Sequence, residues 1–174
     1  MTLFEAIKER YSYRGEYLSD PVSREEITKI MQAGLDAPSG GNAQTTGLVG
    51  IDDPDTLKAI SEIITKPGLG TAPAGIMVIA RPKPVFRDVS FAVQDYSAAI
   101  QNILLAIADL GYVSCWIEGE VTYSKERQNA ISKLLGIPED HTVVCYLPIG
   151  KPVNPGKRAE KKPFNERAFY NKWG

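Results

Sequence analysis

The amino-acid sequence predicts an α+β fold in which helices flank a mixed central sheet of four or five strands. Helix-like and strand-like segments alternate along the 174 residues, an ordinary length for one domain. Residues 76–80 are apolar on both faces, as in a strand at the centre of a sheet. Residues 89–110 form the longest predicted helix and are apolar around most of its circumference, so we expect this helix in the core or against a partner chain.

Capping signals set the bounds of the other elements. Thr2 with Glu5 and Ser23 with Glu26 match the capping box, in which two side chains satisfy free amides at a helix start. An Asp-Pro pair at 53–54 opens a third helix. The predicted helices cover residues 2–10, 23–35, 53–64, 89–110 and 124–135. The predicted strands cover residues 48–51, 76–80, 112–117 and 142–149, and Gly and Pro indicate loops at 37–44 and 66–73.

Charge and residue counts exclude several classes of protein. The chain has 20 Lys and Arg against 21 Asp and Glu, whereas a dedicated nucleic-acid-binding protein is usually strongly basic. It shows neither a signal-peptide pattern nor a membrane-spanning apolar stretch. We therefore expect a cytoplasmic protein with no nucleic-acid or membrane partner. His141 is the only histidine, which excludes a histidine-cluster metal site, and Cys115 and Cys145 are expected to be buried, reduced thiols.

The tail at residues 150–174 differs in composition from the rest of the chain. It carries seven basic and two acidic residues together with four aromatic ones. Basic and aromatic residues together are compatible with nucleic-acid binding. Because the rest of the chain is acidic, we favour a tail that folds over another subunit and buries its aromatic side chains there.

The segment after the first predicted helix carries a cluster of polar side chains. If the chain is extended there, Arg10, Ser12 and Arg14 point to one side, with Tyr11 and Tyr13 beneath them. Two guanidinium groups and a hydroxyl form a good set of donors for a phosphate. A solvated polar face explains the same pattern.

A second candidate segment is the loop at 37–44, where two adjacent glycines let the backbone approach a ligand closely. Ser39 precedes these glycines. Asn42 and Gln44 each offer an amide donor and a carbonyl acceptor, which suits the uracil-like edge of a flat heterocycle. An ordinary helix-to-strand loop is an equally good interpretation.

Two more segments complete the candidates. A buried strand is predicted to end at residues 116–119, and strand ends in α/β sheets are common ligand sites, although a simple exit turn is the alternative. Lys157 and Arg158 follow a Pro-Gly pair, and the alternative there is a solvated run of charge. The chain has neither a G-x-G-x-x-G string nor a P-loop, so we expect neither Rossmann-type dinucleotide binding nor P-loop nucleotide hydrolysis.

Taken in order, these segments resemble the nitroreductase family of FMN-dependent oxidoreductases over nearly the whole chain. Arg10, Ser12 and Arg14 match its R-x-S-x-[RK] motif. Ser39, Asn42 and Gln44 match its S-x-x-N-x-Q loop. The long apolar helix with residues 114–117 resembles the central helix and following strand of the family, and the basic pair before the tail matches as well.

The resemblance implies a single nitroreductase-like domain over residues 1–174 that forms an intertwined homodimer, with FMN at the subunit interface and the tail on the partner subunit. The implied FMN-binding residues are Arg10, Tyr11, Ser12, Arg14, Ser39, Asn42, Gln44, Trp116, Ile117, Glu118, Gly119, Lys157 and Arg158. Tyr11 is a departure, because many members carry a basic residue there.

The resemblance also implies a role for each group of residues. Arg10, Ser12 and Arg158 hold the phosphate, with Lys157 nearby, and Arg14 reaches the ribityl chain or the O2/N1 edge of the ring. Asn42 and Gln44 come from the partner subunit and contact ribityl and ring atoms. Ile117, Glu118 and Gly119 lie along the flavin, with backbone groups near N5.

The implied reaction is ping-pong transfer of hydride from NADH or NADPH through flavin N5 to a nitroaromatic, quinone or similar small acceptor. It requires no metal and no catalytic side chain. The sequence leaves open the choice of NADH or NADPH, the physiological acceptor and a contact between Lys66 and the flavin. One alternative is an FMN-binding relative that NAD(P)H does not reduce, dehalogenase-like or flavin-fragmenting. Another is a non-catalytic binding module.

Overall fold

A computed structural model describes all 174 residues apart from the side chain of Phe86. The helices are α1 Leu3–Glu9, α2 Arg24–Leu35, α3 Pro54–Ile63, α4 Ala92–Asp109, α5 Gly119–Thr122 and α6 Lys125–Leu135. The strands are β1 Thr46–Ile51, β2 Ala74–Ala80, β3 Pro84–Phe86, β4 Val89–Ser90 and β5 Thr142–Ile149. Short 3₁₀ turns lie at Gly40–Asn42, Leu69–Thr71 and Phe164–Glu166.

The capping predictions are confirmed. Thr2 and Ser23 each accept the amide of the glutamate three residues on, and that glutamate accepts the amide of the cap in return. Asp53 caps α3 through the amide of Thr56. Gly136 ends α6 at φ 65°, a left-handed conformation that glycine adopts without steric cost.

The sheet lies between two layers of helices. β2 is its central strand and is buried along its whole length, with β1 on one side and β5 on the other. Alternate residues of β2 point to opposite faces, so Val78 packs with α2 and α4, while Met77 packs with α3 and α6. Residues 115–120 leave the sheet at one of its edges, and the packing of the two apolar layers holds that edge in position.

The sheet itself differs from the predicted one. Its three strands pair antiparallel throughout, and β3 and β4 form a separate two-stranded ribbon. The prediction of a mixed sheet of four or five strands is therefore wrong for the part of the chain that the structure describes. A single parallel bridge joins Ser12 to Ser114. Residues 112–117, predicted as a strand, lie beside β5 but pair with it only at isolated bridges.

Pro148 explains why this fourth strand is interrupted. Val113 donates its amide to the carbonyl of Gly150, and Ile117 and Tyr146 exchange two backbone hydrogen bonds. In an antiparallel ladder the next hydrogen-bonded position on β5, midway between these two, is residue 148. Proline has no N–H to donate, so the ladder is interrupted there.

The longest helix begins three residues later than predicted, at Ala92. Residues 84–90 form the β3–β4 ribbon, whose turn places Arg87 and Asp88 at φ 48° and 62°. That turn lacks the Asn-Gly or Asp-Gly signal from which a tight hairpin is recognised in a sequence.

Several large apolar side chains lie on the surface of the single chain. Phe4 on α1 is 82% exposed and Trp173 in the tail is 83% exposed, and Leu3, Val93 and Tyr170 are exposed with them. Buried free thiols are confirmed for both cysteines. Among the described residues, no helix combines the length and the hydropathy that a membrane span requires.

Candidate functional site

A cavity of about 550 Å³ opens where residues 115–120 leave the sheet, and we call it the strand-end cavity. Its walls come from the segment before α2, from the loop after α3 and from the strand end itself. Its polar and strand-end residues are Arg14, Lys66, Trp116, Ile117, Glu118, Gly119 and Glu120. The predicted residues of the strand end therefore do line one pocket, together with Arg14.

Glu118 ties the strand end to α4. One carboxylate oxygen accepts the hydroxyl of Tyr96 at 2.8 Å, and the other accepts Nε1–H of Trp116 at 2.8 Å. Burial, and then the hydrogen bond to Glu118, raise the pKa of Tyr96 to about 12. Because both oxygens already have a donor, this side chain serves mainly to hold the strand end in place.

Glu120 pairs with two cations, Lys66 and Arg127. Its carboxylate lies 2.9 Å from Nζ of Lys66 and 2.6 Å from Nη1 of Arg127. Hydrogen bonds from Lys66 and then Arg127 lower the pKa of Glu120. Burial raises the pKa of the nearby Cys115 thiol, while the charges of Arg14 and Lys66 act in the opposite direction.

A second cavity of about 550 Å³ adjoins the first, and we call it the N-terminal cavity. Its lining includes Ser12, Arg14 and Lys157, and Tyr13, Arg14 and Gly15 line both cavities. Two of the three residues of the predicted phosphate motif thus lie together, beside the basic residue from the tail. Arg14 is therefore a lining residue that the two cavities share.

Tyr11 explains how the tail is held there. Its hydroxyl accepts the amide of Gly156 at 3.2 Å, and a Cβ at position 156 would clash with the Tyr11 ring. Only glycine permits so close an approach. Tyr11 therefore positions the backbone before Lys157, a role that the sequence alone does not show.

Arg10 lies apart from Ser12 and Arg14. It follows α1 and lines a third cavity of about 230 Å³ with Ser114 and the end of α4. Among the described residues, Arg10 Nε and Ser114 Oγ have no hydrogen-bond partner although both atoms are buried. An unpaired buried donor is costly, so these atoms favour a polar ligand or a rearrangement when one binds.

The loop at residues 37–44, predicted to contact a heterocycle, lies outside both the strand-end cavity and the N-terminal cavity. The amide of Gln44 donates to Ser39 Oγ at 3.0 Å, and Gln44 Nε2 donates to Asn42 Oδ1 at 3.4 Å. Ser39 and Gln44 line a small cavity beside α4. Arg158 is exposed. Within the described chain, neither this loop nor Arg158 lines the strand-end or N-terminal cavity.

Sequence reasoning missed part of the site. The triad of Lys66, Glu120 and Arg127 joins the loop after α3 to α5 and α6. It has no local signal because Lys66 and Glu120 lie far apart in the chain. Tyr123, an exposed aromatic residue at the strand-end cavity, was also missed. Only the folded chain shows that these side chains meet.

Comparison with known proteins identifies the family of this chain. The sequence model of the Nitroreductase family matches residues 7–66 and 62–151. The chain belongs to the nitroreductase family.

Individual relatives extend the match. A protein of Archaeoglobus fulgidus with the provisional name NADH dehydrogenase/NAD(P)H nitroreductase is 39% identical over 85% of this chain and 86% of its own. The FMN reductase [NAD(P)H] of Bacillus subtilis is 27% identical over 91% of this chain and 69% of its own. The structure of an FMN-dependent nitroreductase from Clostridium difficile superposes with a TM-score of 0.80 at 28% identity, over 98% of this chain and 99% of that one.

Proposed function

We propose that this protein transfers hydride from NADH or NADPH through FMN to nitroaromatic, quinone or similar small acceptors, by a ping-pong mechanism. As a member of the nitroreductase family, it is an FMN-dependent NAD(P)H oxidoreductase. The observation that carries the proposal is the position of Arg14. It lines both the cavity with Ser12 and Lys157 and the cavity at the strand end.

The residues present fit FMN in chemistry and in size. The N-terminal cavity offers a hydroxyl and two cations for a phosphate, which is bound best by charged donors. The strand-end cavity is large enough for a flat ring system, and Ile117, Leu69 and Pro67 give it an apolar surface on which such a ring can pack. We propose that Arg10, whose buried Nε has no partner among the described residues, turns its guanidinium toward the phosphate, and that Arg158 joins it.

When bound, FMN supplies the hydride chemistry itself, so the protein contributes orientation and charge. We propose that Arg14 stabilises the negative charge of reduced flavin by its position at the junction of the two cavities. Glu118 holds the strand end through Tyr96 and Trp116, so that the backbone of residues 117–119 keeps one conformation beside the ring. No side-chain acid or base is required for this reaction.

We propose a homodimer in which each subunit completes the site of the other. Leu3, Phe4 and Val93 leave an apolar surface on α1 and α4, which is typical of an interface between subunits. The loop with Asn42 and Gln44 lies outside both cavities of its own chain and is available to a partner. The exposed aromatic residues of the tail are expected to pack on the partner subunit. We place the protein in the cytoplasm, as the sequence predicts.

The first experiment tests the cofactor and the hydride donor. Purified protein is reconstituted with FMN, and its visible spectrum is followed without oxygen after addition of NADH or NADPH. We expect a flavin spectrum that bleaches with one or both nucleotides and recovers when an acceptor is added. Bound FMN that neither nucleotide bleaches would favour a relative that takes its electrons elsewhere, and a protein that binds no FMN would contradict the proposal.

A second experiment tests the shared site. Arg14→Ala and Asn42→Ala chains, each of which we expect to be inactive in its own dimer, are mixed, unfolded and refolded together. If each site combines Arg14 of one chain with Asn42 of the partner subunit, each mixed dimer contains one site with neither substitution, and activity returns. Activity that stays absent in verified mixed dimers would show that both residues act within one chain.

A further inference from the structure

We propose that Glu120 is a positioning residue that sets the reduction potential of the bound flavin by pairing with Lys66 and Arg127. The proposal rests on the FMN-binding function proposed above. It assigns a role to an acidic side chain that lines the same cavity as Arg14 and Lys66.

The geometry shows that Glu120 joins a cation of the cavity wall, Lys66, to a cation outside it, Arg127. Lys66 comes from the loop after α3, and Arg127 comes from the first turn of α6. Arg127 donates to the Glu120 backbone carbonyl at 3.0 Å as well as to its carboxylate. The short helix α5 carries Glu120 at its second residue, and Glu120 lines the strand-end cavity.

The charges that line the strand-end cavity are balanced. Arg14 and Lys66 contribute two positive charges, and Glu118 and Glu120 contribute two negative ones. Glu118 is occupied by the neutral donors Tyr96 and Trp116, whereas Glu120 is paired directly with cations. Removal of the Glu120 charge therefore leaves Lys66 as a full cation at the cavity wall.

An added positive charge favours whichever form of a ligand is more negative. Reduced flavin is more negative than oxidised flavin, so its affinity for the site rises more than that of the oxidised form. Glu120 is part-exposed, with 32% of its side chain accessible, which moderates the effect through solvent screening. We expect the ratio of the two dissociation constants to change by about tenfold, which for a two-electron couple is about 30 mV.

The experiment measures the FMN midpoint potential of the holoenzyme against reference dyes without oxygen. Glu120→Gln is expected to raise the potential by about 30 mV, and Lys66→Met to lower it. In the double variant Glu120→Gln/Lys66→Met both charges are gone, so the potential is expected to return toward that of the wild type. Fluorescence titration with FMN gives the affinity of the oxidised form for each variant separately.

Glu126→Gln is the matched control. It removes one negative charge from the residue next to Arg127, but Glu126 is exposed and does not line the cavity. The FMN midpoint potential of this variant is therefore expected to match that of the wild type. A wild type that binds no FMN would overturn the proposed function and this inference with it. FMN bound normally, with an unchanged or lower potential in Glu120→Gln, would overturn the inference alone. If that variant does not fold, an unchanged potential in Lys66→Met overturns it.

Discussion

Asp95 is expected to hold the loop that carries Asn42 and Gln44. It lies on α4 and is only 4% exposed. One carboxylate oxygen accepts the amide of Gly40 at 2.8 Å, and the other accepts the hydroxyl of Thr45 at 2.6 Å. A single buried side chain thus binds both ends of the loop.

The loop needs this support because its backbone is strained. Gly41, Asn42 and Gln44 have φ values of 57°, 55° and 50°. Left-handed backbone costs about 1 kcal/mol or more for each residue other than glycine. The loop therefore keeps this conformation only while contacts outside it hold its ends.

The magnitude of the effect follows from the two hydrogen bonds. A hydrogen bond to a charged group contributes roughly 1.5–3 kcal/mol, and a buried donor left without a partner is costly. Asp95→Ala removes both bonds and leaves the Thr45 hydroxyl buried, so we expect the free energy of unfolding to fall by about 2–4 kcal/mol. Asp95→Asn keeps the shape, and its amide can donate to the Thr45 oxygen, so we expect a loss of about 1 kcal/mol or less.

Urea unfolding measures these differences, with the midpoint shifting and the slope unchanged. Amide hydrogen exchange over residues 39–45 is expected to be faster in Asp95→Ala, and FMN affinity is expected to fall because Asn42 and Gln44 are displaced. Asp109→Ala is the control, because that carboxylate is exposed and pairs only at the surface with the N-terminus. An alanine variant as stable as the wild type, with unchanged exchange in the loop, would refute the role of Asp95.

Three further predictions test other parts of the site. Arg10→Ala is expected to weaken FMN binding, and unchanged affinity in an FMN titration would remove this residue from the site. Tyr11→Phe removes the bond to the Gly156 amide and is expected to weaken FMN binding a few-fold, as a hydrogen bond of about 1 kcal/mol implies. The contribution of Tyr96 to the free energy of unfolding is complete below a pH of about 10, the ordinary pKa of tyrosine. That contribution is lost as the pH rises through the raised pKa of Tyr96, about 12. Urea unfolding at several pH values should therefore show a shallower alkaline loss in Tyr96→Phe.

The local features of the fold were predictable because their causes are local. The capping residues of α1, α2 and α3 and the glycine that ends α6 act within a few positions of the chain. The apolar run of β2 identified the central strand for the same reason. The interrupted pairing of residues 112–117 depends on Pro148, whose position opposite them follows only from the sheet register.

The site was predictable in its parts but not in its assembly. Ser12 and Arg14 are two residues apart, so their shared side of an extended segment follows from backbone geometry. Arg10 departs from that pattern because it ends α1 and packs toward α4. The pairing of Lys66 with Glu120 is a tertiary contact that no spacing in the sequence indicates.

FMN binding to an Arg14 variant tests the central claim, that one site spans the two adjoining cavities. Arg14→Met keeps much of the side-chain volume, whereas Arg24→Met removes a surface arginine paired with Asp52 and serves as the control. We predict an FMN dissociation constant at least about tenfold higher for Arg14→Met, because charged hydrogen bonds to the ligand are lost, and an unchanged value for Arg24→Met. Equal FMN affinity in the wild type and in Arg14→Met would contradict the claim.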